Sequence, residues 1–192
     1  MSVSAVTFSF VIAGWFVFAG AMLAARRHSG QVERRRERSS VTGLVVQMVA
    51  YSAVWTLHRR WNDPLLVQTV VPEALLGALT VAIVVGSIWM VVAAVRTLGR
   101  QWSLTARVID GHELMTAGPY SIVRHPIYSG MLGMLVATGI SVTYWWWLPI
   151  GVALYVTGTL VRTRSEERLL RQQFGAAYEA YAAKVPALIP FI

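Results

Sequence analysis

The chain has no cysteine, a single lysine and only nine acidic residues among 192. The missing cysteine excludes structural disulfides and thiolate metal sites. Charged residues make up 14% against 56% hydrophobic, too little charge for an ordinary soluble surface. No serine sits in the strained glycine elbow of a serine hydrolase, and no glycine-rich turn joins strand to helix as in a soluble dinucleotide-binding fold. The histidines lack a short helical ligand spacing, so His112, His125 and Glu166 are the weaker option of a zinc site and no metal is expected. Internal repeats are absent. No basic leader precedes the first apolar run, which reads as a spanning anchor rather than a cleaved signal.

What is present is hydrocarbon in long runs. Residues 6–23 form a first span, 41–57 a second interrupted by Gln47, Ser52 and Thr56, and 73–95 the most apolar third. The polar residues of the second span are expected to face other helices, because an amide exposed to lipid is costly. Gly77 and Gly86 offer close packing on the third. A short strand or turn is expected around 103–109. Pro126 suits a first helical position and starts a helix over 127–141, and 148–161 returns as the second arm of a hairpin. Tyr144 to Trp147 read as an interfacial aromatic belt. Residues 164–185 read as a separate amphipathic helix ending at Pro186, followed by an apolar tail that packs on the domain or enters the membrane interface. The fold class is therefore all-α, a polytopic membrane protein with about five transmembrane helices and a C-terminal amphipathic helix.

The formal charge of +8 comes almost wholly from arginine. In a soluble chain it would suggest nucleic acid; beside these spans it marks topology and contact with anionic lipid, and no nucleic-acid partner is expected. With the amino terminus outside and five crossings, fifteen basic residues fall on the cytoplasmic side and only Arg59 and Arg60 outside. The expected location is a multi-pass integral membrane protein with a cytoplasmic carboxyl terminus, in the inner membrane if the source is a bacterium or archaeon.

Polar chemistry concentrates in two stretches, His112 to Gly130 and Arg162 to Glu167, both on that cytoplasmic side. Charged groups beside membrane helices are costly unless paired or set in a polar cavity, so their density favours a site. The hairpin places His125 and Tyr128 opposite Arg162 and Glu166. Arg124 reads as a topology or packing charge and Glu167 as the solvent-facing neighbour of Glu166.

The run Gly118-Pro119-Tyr120-Ser121-Ile122-Val123-Arg124-His125-Pro126-Ile127-Tyr128-Ser129-Gly130, with Glu166-Glu167, Phe174-Gly175, Tyr178, Tyr181 and Val185-Pro186, resembles the isoprenylcysteine carboxyl methyltransferases, membrane enzymes related to phospholipid N-methyltransferases. The resemblance covers about residues 96–192. It implies one membrane domain over 1–192, with a variable two-helix part over 1–70 and a catalytic core over 71–192. It implies S-adenosylmethionine as cofactor, enclosed by His112, Glu113, Leu114, Met115, Tyr120, His125, Pro126, Ile127, Tyr128 and Glu166. Arg162 matches the arginine that holds the substrate carboxylate, and Arg162 and Glu166 are the catalytic pair. Thr105 departs from the family, where a cofactor-contacting glutamine is usual.

The expected partners are the bilayer and a lipophilic small molecule or prenylated cysteine, with no obligate protein partner. Carboxyl O-methylation of an isoprenylcysteine-like substrate is the leading reading. Amine N-methylation of a phospholipid or other lipid is the alternative within enzymes, and a non-enzymatic membrane scaffold or transporter the alternative outside them.

Overall fold

The computed structural model describes residues 2–28, 33–36, 39–60, 63–65, 71–102, 107–109 and 113–190. Among these are six α-helices: α1 Val3–His28, α2 Ser39–Thr56, α3 Glu73–Leu98, α4 Pro126–Val142, α5 Leu148–Phe174 and α6 Ala176–Ala182. Two short strands, β1 Glu33–Arg36 and β2 Arg107–Ile109, pair antiparallel with an irregularity between Glu33 and Arg35. Of the strand or turn expected around 103–109, residues 107–109 form β2, while 103–106 lie outside the described residues; its partner β1, in the arginine-rich stretch between α1 and α2, was not expected.

The first and third helices are long and apolar enough to cross a membrane, over Val3–Ala25 and Glu73–Leu98. At 1.5 Å per residue the 26 residues of α3 span about 39 Å, more than a hydrocarbon core. Their outer faces expose Phe10, Phe16, Leu23, Leu79, Val85 and Trp89, large apolar side chains that water does not favour. α2 and α4 are shorter apolar helices.

The helices pack as a bundle in which α2 lies on α5 and α3 on α4, while α1 covers α3 and α4. One core gathers Val11, Phe18, Val84, Val91, Met134 and Ala137. The other gathers Ala50, Tyr51, Val54, Leu135 and Tyr155, and Trp15 packs against both. Backbone contact without side chains brings two pairs closer than ordinary packing. A Cβ on Gly43 would lie 2.6 Å from the Gly158 carbonyl, and one on Gly130 would lie 2.8 Å from that of Ser87. Gly77 meets Val3 and Thr7, but Gly86 has nothing within 4 Å and serves no close contact.

At the far end of the α4–α5 hairpin, the buried Arg59 donates to the carbonyls of Ile140, Ser141, Thr143, Asp63 and Pro64. The first three are carbonyls at the end of α4, where a cation opposes the negative pole of the helix. His58 pairs with Thr143 in an isolated bridge just beyond α2.

The separate amphipathic helix is corrected. α5 runs unbroken from Leu148 to Phe174, and the chain turns only at Gly175, whose φ of 50° is a conformation glycine tolerates. No glycine or proline stands between Val161 and Phe174, so a change from apolar to charged composition does not interrupt the backbone. Only the seven residues of α6 form a separate helix, which stops before Pro186.

Gly43→Ala is expected to destabilise the detergent-solubilised protein by about 1–3 kcal/mol through overpacking against α5. Gly86→Ala is expected to be neutral or stabilising by up to about 1 kcal/mol. Thermal unfolding of both variants checks the contrast.

Candidate functional site

Local chain chemistry shapes the first wall. Gly118 adopts φ 59° to open a 3-10 turn over Gly118–Ser121, which buries Pro119 and Tyr120. His125 is held outside the helix at φ −126° and ψ 62°, as expected of a residue before proline, and α4 begins at Pro126. The carboxyl-terminal segment then ties this corner down. Arg124 and His125 donate their backbone N–H groups to the carbonyls of Pro186 (2.8 Å) and Ala187 (3.0 Å). Ser129 Oγ donates to Leu188, and the Tyr181 hydroxyl donates to the Tyr120 carbonyl at 2.6 Å. The apolar tail, through Leu188, therefore packs on the domain as expected.

His125, only 6% exposed, is the hub of the charged cluster. Its Nε2 lies 3.2 Å from Glu167 Oε1 and its Nδ1 3.5 Å from Glu166 Oε2. A carboxylate on each ring nitrogen suits the doubly protonated imidazolium. Burial opposes that charge, but the hydrogen bonds and charges of Glu166 and Glu167 overcome it, and the pKa is raised. Glu167 is lowered to about 2: burial works against ionisation, and His125 and then Arg124 outweigh it. Glu166 is lowered too, against burial, by His125, Arg162 and Tyr128. Glu167 is not the solvent-facing residue expected, since it also pairs with Arg124 at 3.1 Å and Arg171 at 3.2 Å. Arg124 goes on to bond the carbonyls of Ala182 and Val185, so it fastens the tail to α5 as a packing charge.

A second polar group lies deeper between the helices. Tyr128 donates its hydroxyl to Glu166, and Arg162, 4% exposed, donates Nε to the Tyr128 oxygen at 3.0 Å. The Arg162 guanidinium carbon stands 4.9 Å from the centre of the Tyr128 ring. Nη1 of Arg162 donates to Gln47 of α2 at 3.1 Å.

A pocket opens beside the hub, with about 380 Å³ of empty space including its open mouth. Its walls are Glu113, Leu114, Met115, Tyr120, Arg124 and His125 from the first stretch, with Leu98 of α3, Leu170 of α5, and Tyr178 and Tyr181 of α6. The Tyr178 hydroxyl is buried without a hydrogen-bond partner among the described residues.

Of the residues named from the sequence, Glu113, Leu114, Met115, Tyr120 and His125 line this pocket. Tyr128, Glu166 and Arg162 join it through His125 instead of lining it, and Pro126 and Ile127 start α4. His112 and Thr105 lie outside the described residues. Sequence reasoning did not name Gln47, Leu98, Arg124, Leu170, Tyr178 and Tyr181 as site residues. Tyr178 and Tyr181 belonged to the recognised pattern, and Gln47 was visible as an amide in an apolar run.

The phospholipid methyltransferase family profile matches residues 75–177, slightly more than half of the chain. The chain belongs to that family. It is 36% identical over 121 residues to a rice (Oryza sativa subsp. indica) protein named as a probable protein-S-isoprenylcysteine O-methyltransferase, covering 58% of this chain and 59% of that one. Against protein-S-isoprenylcysteine O-methyltransferase B of Arabidopsis thaliana the identity is 34% over 105 residues, covering 52% and 51%. A nickel-cobalt-cadmium resistance protein of Alcaligenes xylosoxydans is 32% identical over 162 residues, covering 81% of this chain and 65% of its own. The chain thus spans little more than half the length of the two plant relatives. Among the described residues no group of three histidines or carboxylates could hold a metal ion.

The charge cluster makes stability depend on pH in a definite sense. The contribution of His125 is complete below about pH 6.5 and fades as pH rises through its raised value. That of Glu167 is complete above about pH 4.5 and fades as pH falls towards about 2. Glu167→Gln is therefore expected to cost about 3 kcal/mol between these limits, with the difference from wild type shrinking as pH approaches 2. Thermal unfolding across a pH series checks it. Deleting residues 183–192 is expected to abolish ligand binding at the pocket while leaving the protein in the membrane.

Proposed function

We propose that the chain transfers a methyl group from S-adenosylmethionine to the carboxylate of an isoprenylcysteine-like lipophilic acceptor at the cytoplasmic face of a membrane. One observation carries the reading: His125 belongs at once to the wall of an open pocket and to the cluster that ends in the buried cation Arg162. A donor site and an anion-holding site thereby share a rigid element.

The pocket's residues fit the methyl donor. Tyr120, Tyr178 and Tyr181 offer aromatic faces suited to a cation or a purine. Leu98, Leu114, Met115 and Leu170 supply apolar walls. Glu113 on the wall, and Glu166 one contact away through His125, suit an ammonium group. The backbone N–H groups of Arg124 and His125 are already taken by the tail, so they do not hold the donor's carboxylate. When bound, S-adenosylmethionine supplies an electrophilic methyl on a sulfonium centre.

The chain's own residues do the remaining work by orientation and electrostatics. Arg162 presents a planar cation suited to a carboxylate, and Tyr128 fixes that plane. A carboxylate acceptor needs no proton removed. That matters because His125, locked between two carboxylates, holds its protons and is unavailable as a general base. An amine acceptor needs such a base. Phospholipid N-methylation stays as the second reading, favoured by the description of the matched family. The five-crossing topology, with the amino terminus outside and both polar walls inside, rests on the fifteen-to-two distribution of basic residues.

Purified protein is expected to bind S-adenosylmethionine and to transfer labelled methyl to an N-acetylated isoprenylcysteine, giving base-labile label. Base-stable label in a total lipid extract would instead establish N-methylation. Arg162→Met is expected to lower kcat/KM for the carboxylate acceptor about a hundredfold, with the affinity for S-adenosylmethionine little changed.

A further inference from the structure

We infer that Tyr155 of α5 is a positioning residue for the proposed reaction: its hydroxyl holds the Tyr128 backbone and so sets where the Tyr128 hydroxyl meets Glu166 and Arg162. The inference rests on the role given to Tyr128 above.

Tyr155 is 1% exposed and sits in the apolar core with Ala50, Tyr51, Val54 and Leu135. A phenol among hydrocarbon needs a partner for its hydroxyl, and the partner is a backbone carbonyl: the Tyr155 hydroxyl donates to the Tyr128 oxygen at 2.9 Å. Helix α4 does not need this bond. Tyr128 lies in the first turn of α4, so its carbonyl already accepts within the helix ladder, and its second lone pair takes the phenol. What the bond adds is registry between two helices. Tyr128 is thereby gripped by α5 at both of its ends, by Tyr155 at its main chain and by Glu166 and Arg162 at its hydroxyl. Residues 155, 159, 162 and 166 recur every three or four positions on one unbroken helix, so the two grips share a face and keep a fixed separation. Between them stands a rigid ring, stacked on His125 with centroids 5.8 Å apart, which passes a shift of the main chain on to the hydroxyl.

Tyr51 of α2 supplies the internal contrast. It is buried too, packs edge-on to Tyr155 with ring centroids 5.8 Å apart, and donates its hydroxyl to the Met131 carbonyl at 2.7 Å. Met131 packs against the two apolar cores and brings no group to the charged cluster. The two bonds are alike in donor, acceptor and burial. They differ in what the anchored residue does.

The test is a double-mutant cycle on the purified protein. Labelled-methyl transfer to an N-acetylated isoprenylcysteine gives kcat and KM for wild type, Tyr155→Phe, Tyr51→Phe, Tyr128→Phe and the Tyr155→Phe/Tyr128→Phe pair, with S-adenosylmethionine affinity and thermal unfolding reporting the folded pocket. Each substitution removes one oxygen and keeps the ring. Tyr155→Phe is expected to lower kcat about tenfold, as a small displacement of a positioning group does, with S-adenosylmethionine affinity within about twofold of wild type. Tyr51→Phe is expected to unfold at about the same temperature as Tyr155→Phe and to keep kcat within about twofold of wild type. In the Tyr128→Phe background, Tyr155→Phe is expected to change kcat by less than about twofold, because the hydroxyl it acts through is gone. Equal effects of Tyr155→Phe and Tyr51→Phe on kcat would overturn the inference, as would full additivity in the cycle. Wild type that binds S-adenosylmethionine yet forms no base-labile product removes the acceptor reading and the inference with it, whereas an active wild type with additive variants removes the inference alone.

Discussion

A buried charge must be paired, and the architecture at one end of this bundle follows from that constraint. His125, Glu167 and Arg124 lie among apolar helices where an isolated charge would be prohibitively costly. Each answers another, and Arg171 completes the set from α5's last turn. Because the partners come from the loop before α4 and from α5, the ionic network fixes how those elements meet. Arg124 extends it to the carbonyls of Ala182 and Val185, which brings the carboxyl-terminal segment across the start of α4. The pocket exists because these ties hold three separate pieces of chain around one space.

Much of this was legible in the sequence wherever a local rule sufficed. Pro126 marks the start of α4, the long apolar run of α3 reads directly, and the density of ionisable residues at His112–Gly130 and Arg162–Glu167 points to the end of the bundle that carries chemistry. What escaped were features settled by tertiary phase. Glu166 and Glu167 are adjacent and chemically alike, and only the docking of Arg124, 43 residues away, determines that Glu167 is buried and multiply paired. Gln47 was visible as an amide that must face protein, but its partner stands 115 residues further on. Leu170 and Tyr181 read as the apolar stripe of a surface helix, yet they line a pocket, because an apolar face looks the same in sequence whether it meets lipid, core or ligand.

The misreading of α5 has a different cause. Hydropathy falls sharply after Val161, which suggests that one element ends and another begins. Hydropathy reports the surroundings of a helix, however, and not its hydrogen bonds. Without a glycine or proline the i to i−4 ladder continues, and the helix passes from an apolar setting into a charged one without a break.

That continuity matters for the proposed chemistry. A hinge between two helices would let Arg162 and Glu166 move independently. On one unbroken helix they stand four residues apart, about 6 Å along the axis and on nearly the same face. Tyr128 bridges the two from α4, accepting from Arg162 and donating to Glu166, so its hydroxyl registers one helix against the other. A reaction that depends on aligning a donor with an acceptor gains from such a fixed ruler, since small displacements of reacting groups are costly in rate. An acceptor with a lipid tail and an anionic head suits this geometry: its tail can remain among the apolar faces while its head reaches an arginine set one helical turn from the residue that anchors His125 and the pocket wall.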